Sequence, residues 1–340
     1  MADDIDELFD LAVIGAGGAG TMAFLRGVLN YDRCVLFSGD ARTRRKGRST
    51  WVSHVDNIPG MHGLGHPIGK STKCTLEWIE GQEGLRDRGT VIKAVVERLE
   101  RSAEGFVCRY EDKRGSHAVR ARFVVLATGC MDVQPQIGGS IKPVFPFPNR
   151  GDFIYCVRCD GHLTRGKELS VIGASDSAVS LGAMMADRYG HEGVAILENG
   201  LEGGLGEEAR ALASAYGMQL HASPIAKILG DPRDRGLEGF RLVDGTRVDT
   251  TCCIVSLGII AYNSLLCDLG GEVDASGRAV VGEAGESSIP GLFVVGDLQS
   301  GRKMQVYTAW DEAVDSADEI NARIRAERRG RRLGAAPGER

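Results

Sequence analysis

Cys156-Val-Arg-Cys159-Asp160 is the one stretch of this chain where residue types and spacing alone describe a reaction. Two thiols two residues apart can close a small disulfide. Cys-x-x-Cys geometry commonly depresses one thiol pKa, and the resulting thiolate exchanges electrons with another disulfide. Arg158 lies between the sulfurs and Asp160 beside them, a cation to tune the thiolate and an acid to move its proton. The bland alternative is half of a zinc site. Zinc usually needs a second Cys/His pair at matching spacing, whereas Cys252 and Cys253 are adjacent and His62 and His66 sit in a Gly-rich loop. A redox dithiol without a metal is the stronger expectation.

A dithiol needs an electron carrier, and the elements that would hold one come first in the chain. Phe9 to Ile14 reads as a short buried strand running into Gly15-Ala16-Gly17-Gly18-Ala19-Gly20, with helix formers from Thr21 onward. This is G-x-G-x-x-G between a strand and a helix, where glycine lets the backbone approach a pyrophosphate and the helix N-terminus receives its charge. A tight turn without a ligand is the competing reading. Arg33 to Phe37 is the next strand, and the acid expected near its end for an adenosine ribose has a partial match in Asp40. Residues 90–99, 105–111 and 117–126 read as strands, residues 75–86 as a helix, and the last strand ends in Thr128-Gly129.

Residues 132–151 hold four prolines and no regular pattern, as a crossover between domains would. After the dithiol, Leu169-Ser-Val-Ile-Gly173-Ala-Ser-Asp-Ser-Ala repeats the strand–turn–helix logic in degraded form. Ser175 replaces the middle glycine and adds a Cβ where a pyrophosphate needs close approach. The following strand ends in Glu198, which would repel a 2′-phosphate but could accept a ribose hydroxyl. Ile289 to Asp297 reads as a final buried strand, and residues 305–328 as a closing helix.

At 340 residues the chain has room for two domains, and 43% hydrophobic with 26% charged residues is the balance of a soluble globular protein. A net charge of −5 argues against general nucleic-acid binding. The acidic N-terminus does not read as a secretory signal, and no apolar run is long enough to span a bilayer. Nine scattered cysteines with one Cys-x-x-Cys pair suit a reducing, cytoplasmic setting. Within this acidic chain, Arg42, Arg44, Arg45, Lys46 and Arg48 form a basic run, read either as a solvated loop or as a docking patch for an acidic partner.

The ordered set Gly15-x-Gly17-x-x-Gly20, Asp56-Asn-Ile-Pro-Gly60, Ala127-Thr-Gly129, Cys156-x-x-Cys159-Asp-Gly161 and Gly291-Leu-Phe-x-x-Gly296-Asp297 resembles the low-molecular-weight thioredoxin reductases over most of the chain. The resemblance implies an α/β fold of two Rossmann-like, three-layer ββα dinucleotide-binding domains, the second inserted into the first. The FAD domain would comprise residues 1–133 and 258–330, the dithiol domain residues 134–257, and residues 331–340 would be a disordered tail. FAD would be held by Gly15, Ala16, Gly17, Gly20, Asp40, Asn57, Thr128, Gly129, Gly296, Asp297, Gln305 and Val306. Cys159 would face the flavin, Cys156 would attack the substrate disulfide, and Asp160 would handle the proton. The implied partner is thioredoxin or a similar disulfide, and the implied assembly is a homodimer.

The second glycine motif and the basic residues that follow it in NADPH-using relatives are missing here. The implied donor is therefore something other than NADPH, with acidic ferredoxin the natural candidate and NADH a smaller one. A dithiol oxidase running the relay toward oxygen, and a non-enzymatic flavin redox sensor, are the alternatives. Trp310 and Tyr307 stand where relatives have small residues, either to shield the flavin or to fill core.

Overall fold

The computed structural model describes residues 5–41, 47–50 and 54–334. In chain order the first elements are β1 (Ile5–Ile14), α1 (Gly18–Leu29), β2 (Cys34–Phe37), α2 (Pro67–Glu80), β3 (Gly89–Ile92), β4 (Val96–Ser102), β5 (Gly105–Asp112), β6 (Gly115–Leu126) and β7 (Cys130–Asp132). Then come β8 (Phe153–Ile154), α3 (Val157–Asp160), β9 (Leu169–Ile172), α4 (Asp176–Tyr189), β10 (Ala195–Leu197), α5 (Glu207–Ala215), β11 (Gln219–His221), β12 (Ile225–Asp231), β13 (Gly236–Leu242), β14 (Arg247–Asp249) and β15 (Cys252–Val255). β16 (Ile259–Ala261), α6 (Ser264–Cys267), β17 (Leu292–Val294) and α7 (Val306–Gly334) complete the chain.

These elements form two compact units. The first takes residues from Met1–Thr50, Ile68–Met131 and Ile260–Arg340, the second from Trp51–Pro67 and Asp132–Ile259. In the first unit the sheet runs β3-β2-β1-β6-β5-β4, with β17 also on β6. β6 serves two layers. Its C-terminal half pairs parallel with β1 and β17, while its N-terminal half pairs antiparallel with β5. Leu11 to Val13 are completely buried, as a parallel strand covered on both faces must be. Ala12, Val35 and Val124 pack toward the β4–β5 side, and Leu11, Val13 and Val125 pack with Phe24 of α1 and Ile320 of α7. That is the expected three-layer ββα arrangement.

The second unit has an all-parallel sheet, β11-β10-β9-β15-β8, and a separate antiparallel sheet, β12-β13-β14. Its core lies in two clusters, one with Phe153, Ile172 and Phe240, the other with Val171, Val179 and Ile196.

Three boundaries differ from the sequence reading. Helix α2 starts at Pro67 rather than Thr75, because proline's fixed φ suits the first helical position. The loop up to Pro67, including Asp56 and Asn57, groups with the dithiol unit instead of the first one. Helix α7 continues to Gly334, so residues 331–334 are helical and not part of a disordered tail. Arg331 and Arg332 in its last turn oppose the negative end of the helix dipole.

Candidate functional site

Cys156 and Cys159 form a disulfide with Cα atoms 5.3 Å apart. β8 delivers Cys156 in an extended conformation, and the chain then enters the single turn α3. The Cys159 N–H donates to Cys156 Sγ at 3.3 Å, a contact that favours a thiolate at Cys156 once the bond is reduced. Cys156 is the more buried of the two, at 8% exposure, while Cys159 is half-buried and Asp160 buried.

The Asp56-Asn57 loop lies against this turn. Asn57 Nδ2 sits 4.0 Å from Cys159 Sγ, and Asp56 Oδ2 is 3.2 Å from His162 Nε2. Asn57, which the resemblance places on the flavin side, stands beside a dithiol sulfur. Cys252 and Cys253 are buried in β15, and burial pushes both thiols up to about 12, so they stay protonated and inert.

In the first unit, Gly15, at φ 108°, and Gly20 serve the turn itself. A Cβ on Gly15 would fall 2.4 Å from the Ala127 carbonyl oxygen, and one on Gly20 would fall 1.8 Å from that of Gly15. Gly17 differs, because a Cβ there would meet nothing within 4 Å. The start of α1 has Gly17 as N-cap, no side-chain cap and no acid in its first turn. An open backbone cradle with uncapped helix N–H groups fits a pyrophosphate. The carbonyl of Ala16 receives the Thr72 hydroxyl at 3.5 Å, which ties α2 to this turn.

The remaining candidates spread around that turn or stand elsewhere in the unit. The Thr128 hydroxyl donates to the Tyr262 carbonyl at 2.7 Å, and Gly129 adopts φ 67°. Asp40 follows β2, half-buried. Gln305 is buried and its amide reaches the Met304 carbonyl at 2.8 Å. Val306 opens α7, its Cγ1 3.6 Å from where a Cβ on Gly18 would be, and the Trp310 indole nitrogen is 3.7 Å from the same point. Trp310 therefore packs on the glycine turn. Tyr307 is exposed at 43%.

Asp297 follows Gly296, with Arg48 Nη1 at 3.6 Å and Cys130 Sγ at 4.0 Å from its carboxylate. Arg48 is thus turned onto Asp297, with its side chain only 15% exposed, which corrects its reading as part of a solvated or docking run. Arg42, Arg44, Arg45 and Lys46 lie outside the described residues.

Glu312, which sequence reasoning missed, supports this corner from α7. It is 5% exposed, its Oε2 accepts the Gly296 N–H at 2.8 Å, and Arg302 Nε lies 3.3 Å from Oε1. Burial raises its pKa to about 7, against the lowering effect of those donors.

The second βα turn is built differently. Ser175 is the N-cap of α4 and Asp176 stands in its first turn. Asp176 Oδ1 accepts the Gly206 N–H at 2.9 Å. A Cβ on Gly203 would be 3.7 Å from the Ala174 carbonyl, so the loop after β10 lies over the turn. This helix start carries a carboxylate tied to the loop after β10, whereas the first one carries no acid and has open space beside Gly17.

The family model for pyridine nucleotide-disulphide oxidoreductases matches residues 9–313. The chain belongs to this family. Membership in the pyridine nucleotide-disulphide oxidoreductases makes it a flavin-dependent disulfide oxidoreductase with FAD as cofactor, and the open first turn fits that cofactor. Among curated relatives, the chain is 24% identical to a thioredoxin reductase of Mycoplasma pneumoniae, covering 90% of this chain and 92% of that one. It is also 24% identical to a thioredoxin reductase of Listeria monocytogenes, covering 89% and 90%. Among solved structures, HlmI superimposes with a TM-score of 0.80 at 24% identity over 96% of both chains, which speaks for the fold. Among the described residues no group of His, Cys, Asp or Glu side chains is placed to hold a metal, and no helix is long and apolar enough to cross a membrane.

Proposed function

We propose that the chain reduces the disulfide of a thioredoxin-like protein through Cys156 and Cys159, and that its FAD is charged by a donor other than NADPH. Reduced ferredoxin has the matching chemistry. The substrate half draws on the likeness to thioredoxin reductases. The donor half rests on one observation, the Asp176 carboxylate bonded to Gly206 where a pyridine-nucleotide pyrophosphate would need bare backbone. Those residues do not fit NADPH.

FAD, when bound, supplies a two-electron couple. Gly17 and the N–H groups at the start of α1 would hold its pyrophosphate on the turn that Gly15 and Gly20 shape, with Asp40, Thr128, Gly129, Asp297 and Gln305 around the rest. Two electrons and two protons open the Cys156–Cys159 bond to two thiols. The Cys156 thiolate, stabilised by the Cys159 N–H, attacks one sulfur of the substrate disulfide, and the departing sulfur takes a proton handled by Asp160. Cys159 then attacks Cys156 in the mixed disulfide, releases the second substrate thiol and restores the internal bond. The net change is one substrate disulfide reduced to two thiols.

Trapping tests the order of attack. Cys159→Ser with oxidised thioredoxin should accumulate a mixed disulfide through Cys156, visible by mass spectrometry, and Cys156→Ser should not. Trapping through Cys159 alone would reverse the assignment, and trapping through neither would remove thioredoxin as substrate.

A further inference from the structure

α4 has a second role at its far end. It stops at Tyr189, and Gly190, at φ 71°, reverses the chain. His191 is thereby folded back beneath the dithiol turn, buried at 8% exposure, with Nε2 2.8 Å from Thr164 Oγ1. Thr164 is itself fully buried, and its hydroxyl donates to the Gly161 carbonyl at 2.8 Å. Gly161 follows Asp160 directly. Tyr189 closes the same side: its ring meets His191 edge-on with centroids 6.4 Å apart, and its hydroxyl is 3.5 Å from where a Cβ on Gly161 would sit. The Lys167 N–H donates to the Thr164 carbonyl at 3.0 Å and fixes the end of the segment.

The chain of contacts is continuous. It runs from the imidazole to a hydroxyl, to a carbonyl, and to the turn that carries both reactive groups. A buried hydroxyl with a partner on each side has little freedom, because releasing either one leaves a buried polar group unsatisfied.

We propose that His191 is a positioning residue for the dithiol: acting through Thr164, it holds the Gly161 carbonyl and so sets the turn bearing Cys159 and Asp160 in its disulfide-closed shape. It touches neither sulfur. A histidine that merely fills the core would matter for stability and leave sulfur chemistry unchanged, so the discriminating readout must be the sulfurs themselves. The proposal rests on Cys156 and Cys159 being a working redox pair, but on no particular substrate or donor.

The test is the thiol–disulfide equilibrium of the flavin-loaded protein in glutathione buffers, read by alkylation and mass spectrometry of the Cys156–Cys159 peptide. Thr164→Val keeps the shape and removes the hydroxyl, and His191→Phe keeps a ring without nitrogens. Each should move the equilibrium toward the dithiol by about fivefold, roughly the worth of one hydrogen bond. Thr164→Ser should restore the wild-type value. The proposal fails if Thr164→Val leaves the equilibrium unchanged while lowering the melting temperature, or if Thr164→Ser behaves like Thr164→Val. Should His191→Phe not fold, the two Thr164 variants decide. A wild-type pair that does not exchange with glutathione at all would overturn the redox reading, and this proposal with it.

Discussion

Asn57 Nδ2 stands 4.0 Å from Cys159 Sγ, across 102 residues of sequence, with the neighbouring Asp56 tied to His162. An amide N–H directed at sulfur favours the thiolate over the thiol. Asn57→Leu, close in size but without a donor, should raise the pKa of the Cys159 thiol in the reduced protein. Taking one hydrogen bond as about 1 kcal/mol gives a rise of about 0.7 of a pH unit. Thiolate ultraviolet absorbance against pH reads this in a Cys156→Ser background. An unchanged curve would mean that the amide does not act on the sulfur.

The three glycines of the first turn should respond differently to alanine. Gly17 has open space where a Cβ would go, so Gly17→Ala should leave the apoprotein within about 1 kcal/mol of wild type, the usual cost of alanine at an N-cap. The same change should abolish FAD retention, seen as loss of visible flavin absorbance. Gly20→Ala drives a Cβ into the Gly15 carbonyl and should destabilise the apoprotein by about 1–3 kcal/mol or more. A Gly17→Ala protein that keeps its flavin would contradict the cradle.

Glu312 carries a pH prediction. Its folded pKa, about 7, lies above its ordinary value of 4.5, chiefly through burial. The folded state therefore binds this proton more tightly than the unfolded state does. The corresponding stability is fully present below about pH 4.5 and is lost as pH rises through about 7. Glu312→Gln keeps an acceptor for the Gly296 N–H and does not titrate. The difference in melting temperature, variant minus wild type, should rise in favour of the variant across that window. A flat difference would show that Glu312 does not titrate there.

These contacts mark what the sequence made legible. Gly15, Gly17 and Gly20 sit in one turn between a strand and a helix, and Cys156 and Cys159 in another, so short spacing exposes both. The ββα layering was legible through the family resemblance, while a run such as Leu11–Val13 reads by itself only as a buried strand. Glu312 supports Gly296 across 16 residues, Thr164 meets His191 across 27, and Asp176 meets Gly206 across 30. Such pairs leave no local periodicity, because nothing in the composition of either partner's segment records the other. The grouping of Asp56 and Asn57 with the dithiol unit was hidden for the same reason, and so was the turning of Arg48 onto Asp297.

In the proposed relay FAD reduces the Cys156–Cys159 disulfide, and the second βα turn does not serve a pyridine nucleotide. Anaerobic titration of the bound flavin, followed by its visible absorbance, tests this most directly. Reduced ferredoxin should bleach the flavin and, on adding oxidised thioredoxin, the colour should return with stoichiometric thiols. NADPH should leave the spectrum unchanged. Bleaching by NADPH at low concentration with thioredoxin turnover would contradict the account, as would oxygen consumption with a small dithiol and no response to reduced ferredoxin.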